Sequence, residues 1–125
     1  MNNKMRITII ALFALVAMQT YAQKKILLES KEEIIEQATT EINNAMQPPE
    51  GVLYLWKVEN SIKGEYIIDI TIREKGDIAA VFMAGSDGAD IKMQNLVKDR
   101  IRLFEFSFKM PKGKTYKFQY IFKFG

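Results

Sequence analysis

The sequence predicts an α+β domain in which a largely antiparallel sheet is covered on one face by two helices, in the order α-β-β-β-α-β-β. Three observations carry this. The hydrophobic period changes from 3.6 to 2 near residue 52. A second 3.6-period stretch interrupts the strands between residues 89 and 103. Finally, residues 104 to 124 hold eight of the fourteen aromatic side chains in alternating array, as a sheet covering a helical layer requires.

Ser30 and Glu33 form a capping-box pattern that opens the first helix. Ile34, Ile35, Ala38, Ile42, Ala45 and Met46 share one face, while Glu32, Glu33, Glu36 and Glu41 lie mostly off it. The acidic residues gather at the N-terminal turns, where the helix dipole favours them. Pro48 ends the segment because it lacks an N–H and disfavours helical geometry in the residue before it.

Val52, Tyr54, Trp56 and Val58 alternate with their neighbours, so Val52 to Glu59 is predicted to be a strand. Tyr66, Ile68, Ile70 and Ile72 form the inward side of the next, against Ile67, Asp69, Thr71 and Arg73. Gly64 and Gly76 mark the connections, since glycine adopts positive φ without a side-chain clash. "DIAAVFMAG" supplies another strand, and the "GSDGAD" loop offers Asp87 or Asp90 to cap a helix. That helix, from about Ala89 to Leu103, turns Ile91, Leu96, Val97 and Ile101 inward. Two last strands follow, joined by "PKGK". Phe104, Phe106, Phe108 and Met110 share a face of the first, and Tyr116, Phe118, Tyr120, Phe122 and Phe124 a face of the second.

The N-terminus reads as a secretory signal peptide over residues 1–22. Lys4 and Arg6 precede an apolar run from Ile7 to Met18, and Thr20 and Ala22 stand three and one positions before the expected cut. A run of this length falls short of the roughly twenty residues that span a bilayer. A single domain, residues 23–125, is therefore expected in the periplasm or outside the cell, and not as an integral membrane protein after cleavage. With no cysteine, its stability rests on packing alone. Loss of Lys4 and Arg6 leaves 16 basic against 15 acidic side chains, a balance that argues against nucleic acid as partner.

Within "GEYIIDITIREKGDIAAVFMAGSDG", Gly64, Gly76 and Gly88 stand twelve residues apart, and Pro111 and Gly113 precede the last strand. Over about residues 62–124 this pattern resembles the C-terminal domain of the TonB energy transducers: a glycine, a strand, a glycine-containing hairpin, a second strand, a glycine-containing loop into a helix, and a final strand. Ile91-Lys92 stands where that family usually has Leu-Asp, Asn95 where it has an alanine, and the Tyr-Pro before its first glycine is missing. The family often carries a short helix just before the position of Gly64, where the alternation here predicts a strand. No Pro-rich spacer is present, so the resemblance implies a free-standing exported relative that keeps the binding fold without energy coupling. It also implies recognition of a partner segment by strand addition.

Without histidine or cysteine the chain lacks the commonest general base, the commonest nucleophile and the usual zinc ligands. No catalytic residue, metal site or cofactor is expected. Asp69 is a lone acid in a strand, and Asp87 and Asp90 suit turn and cap chemistry better than a calcium loop. Function is expected at a sheet edge instead. Lys117, Gln119, Ile121 and Lys123 form the row opposite the rings and are the candidate partner-binding residues. Nine basic and two acidic residues lie between Lys92 and Gly125, against one and six between Glu29 and Glu50, so the row would favour an acidic segment of an envelope or secreted protein. An open edge also admits a homodimer. The alternative is a small-ligand or glycan-binding protein using Tyr116, Tyr120 and Phe122.

Overall fold

The computed structural model describes residues 24–125; the expected signal peptide lies outside them. Ser30 caps the first helix, α1 (Lys31–Ala45), its hydroxyl accepting the Glu33 N–H at 3.2 Å. Ile34, Ala38, Ile42 and Ala45 are its buried face. The segment after it corrects the predicted order. Val52 to Glu59 is not a strand but belongs to a second helix, α2 (Val52–Asn60).

Six of the first seven residues of α2 are apolar, so alternation and helical spacing were both satisfied and local pattern had little power to separate them. Tertiary contacts decide in favour of the helix. Leu53 is fully buried, and Trp56, one turn on, meets the Phe124 ring edge-on at 6.0 Å. Gly51 opens the helix so close to the Ala45 carbonyl that a side chain there would overlap it. Ser61 closes it in the left-handed conformation.

The main sheet has three antiparallel strands in the order β3-β2-β5, with β2 (Glu65–Ile72) central, β3 (Ile78–Asp87) on one border and β5 (Tyr116–Lys123) on the other. Tyr66, Ile68, Ile70 and Ile72 of β2 are all fully buried, whereas the alternating Glu65, Ile67, Asp69 and Thr71 are exposed or half-buried. One face of the sheet is thus packed and the other meets water. Helix α3 (Ile91–Arg102), capped by the Asp90 carboxylate on the Met93 N–H at 2.8 Å, joins the two border strands and buries Val97 and Ile101. The architecture is mixed α+β, with three helices among the described residues instead of two.

The predicted hairpin of the two C-terminal strands is also corrected. Only Phe108–Lys109 forms a strand, β4, and it pairs in parallel with a short N-terminal strand, β1 (Ile26–Leu27), which the sequence reading did not anticipate. The side-chain alternation is nevertheless real: Phe106, Phe108 and Met110 are buried and Glu105, Ser107 and Lys109 exposed. What alternation does not report is the main-chain partner. Here Phe106 N–H donates to the Gly76 carbonyl at 2.8 Å and Met110 N–H to the Glu74 carbonyl at 2.7 Å, so the segment runs beside the tip of the β2–β3 hairpin. The Glu41 carboxylate ties it to α1 by accepting the Ser107 N–H and hydroxyl at 2.7 and 2.8 Å.

Gly76, at φ +82°, is the tightest point of this crossing, because a Cβ there would overlap the Phe108 carbonyl oxygen. Gly113 has a similar φ of +79° with nothing near its missing Cβ. Gly113→Ala should therefore cost about 1 kcal/mol from backbone conformation alone. Gly76→Ala should cost roughly 2 kcal/mol or more, since backbone must also move. Denaturant unfolding of the two variants checks the difference, and equal losses would mean that the hairpin tip is not clamped.

Candidate strand-addition edge

All four candidate residues lie on β5, and β5 borders the sheet with β2 as its partner. In an antiparallel ladder, a residue sends its N–H and C=O to one side and its neighbour sends them to the other. Register and end bonding identify the sides. Phe124 N–H donates to the Gly64 carbonyl at 3.0 Å, so residue 124 faces β2, and with it Phe122, Tyr120, Phe118 and Tyr116. Lys117, Gln119, Ile121 and Lys123 then direct their main-chain groups to the free edge. None of the four makes a main-chain hydrogen bond beyond the strand pairing among the described residues.

The same alternation anchors the strand. Phe118 and Phe122 are buried, Tyr116 and Tyr120 half-buried, and all four outward residues exposed. Phe122 lies between Tyr120, at a ring-centroid distance of 4.5 Å, and Phe124 at 6.0 Å. The Tyr120 hydroxyl donates to the Asn43 side-chain carbonyl of α1, so helix and border strand are joined by a polar contact as well as by packing. Burial raises the Tyr120 pKa above its ordinary value, and the phenol keeps the proton this bond needs at neutral pH.

The four side chains are not equivalent. Gln119 lies directly across from Asp69 and donates to its carboxylate at 2.9 Å, which commits its amide to the sheet. This explains Asp69, half-buried as the lone acid of its strand. Lys117 is opposite Thr71 and Lys123 opposite Glu65, and neither lysine forms an ion pair among the described residues. Ile121 is 49% exposed across from Ile67, and Phe82, 63% exposed on β3, extends the apolar character of the outer face. Phe82 was missed as a surface residue because "DIAAVFMAG" gives no clear alternation. Bulges in β3 at Ala79 and Ala84 reset its faces.

Proline at an outward-facing position removes a donor that the sheet does not use. Lys117→Pro, which breaks no side-chain contact, should lower stability by about 1 kcal/mol or less. Tyr120→Pro should cost roughly 3 kcal/mol or more, through the lost ladder bond and the displaced ring. Thermal or denaturant unfolding that ranks them the other way would reverse the assignment of the free edge. Comparison with known proteins finds no match to a family model, a curated protein or a solved structure.

Proposed function

We propose that this domain is a non-catalytic, exported protein-interaction module that takes up an extended segment of an envelope or secreted protein as an added strand on β5. The observation that carries the proposal is the coincidence of a border strand held from beneath by its rings with four alternate, outward-facing residues whose main-chain groups point to the free edge. An added strand would bury donors and acceptors that water now satisfies, and would gain register from the side chains beside it. Lys117 and Lys123, six positions apart, favour acidic residues at the matching spacing, and Ile121 favours an apolar residue between them.

The resemblance to the TonB C-terminal domain points the same way. Helix α2 stands where that family often has a short helix, just before Gly64. The three glycines of the twelve-residue spacing all have positive φ, at +100°, +82° and +78°. A Cβ on Gly64 would overlap the Asp87 carbonyl region at 2.7 Å, so the spacing reflects backbone requirements as well as composition. Residence in the periplasm or outside the cell rests on the N-terminal sequence. No helix among the described residues is long and apolar enough to cross a membrane.

The small-ligand or glycan alternative needs Tyr116, Tyr120 and Phe122 exposed beside a concavity. Phe122 is fully buried and Tyr116 and Tyr120 are half-buried, which counts against it. The strand-addition reading is tested by capture of partners from envelope extract on the immobilised exported protein. Lys117→Pro/Gln119→Pro should lose the partner, and Lys117→Glu/Lys123→Glu should weaken its capture at low salt. Undiminished recovery on the proline variant would refute edge recognition.

A further inference from the structure

Away from β5, the tip of the β2–β3 hairpin, the start of the described chain and the residues after β4 enclose an open groove of about 1090 Å³. Five of its lining residues are lysines: Lys24, Lys25, Lys75, Lys109 and Lys112. Three carboxylates, those of Glu74, Asp77 and Glu105, line it too. Their commitments differ. Asp77 is held by Arg73 at 2.8 Å, and Glu74 accepts the Gly113 N–H at 2.9 Å. Lys25 donates to the Lys75 carbonyl at 2.8 Å and fastens the N-terminal strand to the hairpin. Lys24, Lys75, Lys109 and Lys112 have no ion-pair partner among the described residues, and Glu105 is the one lining carboxylate with no hydrogen bond or ion pair there.

The walls are built before any ligand arrives. The main-chain bonds from Phe106 to Gly76 and from Met110 to Glu74 lock the hairpin tip against the segment that carries Lys109 and Lys112. Leu28 N–H donates to the Lys109 carbonyl at 2.9 Å and brings in the N-terminal side. Three stretches far apart in sequence thus hold five ammonium groups against three carboxylates around one concavity, an excess of positive charge that a bound anion would offset. Among the described residues, the cations lining the groove are all lysines. An ammonium binds phosphate oxygens as a compact point charge with freely rotating donors, and a phosphate group carrying several negative charges gains more from converging lysines than a single carboxylate does.

We propose that this groove binds a multiply charged phosphate group, free in solution or borne on a headgroup, independently of the β5 edge. None of Lys117, Gln119, Ile121 and Lys123 lines it. The test titrates the purified exported protein with tripolyphosphate at low salt, following backbone amide resonances by NMR. Saturable shifts at Lys75, Lys109, Met110 and Lys112 are expected, with affinity weakened tenfold or more in Lys75→Gln/Lys109→Gln and unchanged in Lys117→Gln/Lys123→Gln. A parallel arm measures co-sedimentation with vesicles containing phosphatidic acid, whose phosphomonoester can carry two charges, and with phosphatidylcholine vesicles. Binding to the first alone, competed by tripolyphosphate, identifies a headgroup; tripolyphosphate binding without co-sedimentation identifies a soluble ligand; both support the site. Absence of saturable shifts, or equal weakening by the groove and β5 variants, overturns it. Matching circular dichroism spectra and unfolding midpoints of the variants exclude misfolding as the cause.

Discussion

The constraint on which this structure depends is the two-residue period of its last strand. A border strand cannot pair its main chain on both sides, so something other than a second ladder must hold it. Here the rings of Phe118 and Phe122 supply the hold, each driven beneath the sheet by the apolar area it removes from water, roughly 1.5–3 kcal/mol per fully buried side chain. The same period that sends these rings inward turns the intervening peptide groups outward. Firm attachment and free hydrogen-bonding capacity are two results of one geometry.

Around that strand the helices play unequal parts. Helix α1 reaches both C-terminal segments, through Tyr120 on one side and through the Glu41–Ser107 contacts on the other. Helix α2 presents Trp56 to Phe124 at the end of the border strand. Helix α3 returns the chain from one sheet border to the other, and this return leaves the chain's last strand on an edge. The charges follow the same division: acidic residues concentrate on α1, and basic ones from α3 onward. The basic half includes both the open edge and part of the wall of the lysine-lined groove.

Most of this was legible in the amino-acid sequence because it is written in side-chain period. Ser30 is read as a cap, the second cap is narrowed to Asp87 or Asp90, of which the structure uses Asp90, and the inward rows of β2 and β5 are read residue by residue. The failures have different causes, and one lies in side-chain direction itself: Ile91 and Leu96, expected inward on α3, are exposed. Period states which way side chains point, not which main chain lies alongside. Phe104 to Met110 alternates correctly yet pairs with β1 and the hairpin tip, not with β5. Val52 to Glu59 is so densely apolar that two periods fit, and packing of Leu53 and Trp56 selected the helix. Two-residue β1 carries no periodic signal at all. The lysine-lined groove was illegible for a further reason, since its residues come from three separate stretches of chain and converge only on folding.

The central claim is that alternate peptide groups of β5 face an open edge. Amide hydrogen exchange, followed residue by residue in the monomeric protein without a partner, addresses it directly. The account predicts exchange at Lys117, Gln119, Ile121 and Lys123 orders of magnitude faster than at Phe118, Tyr120 and Phe122. Uniform protection along the strand would contradict it, because those four N–H groups would then already have partners.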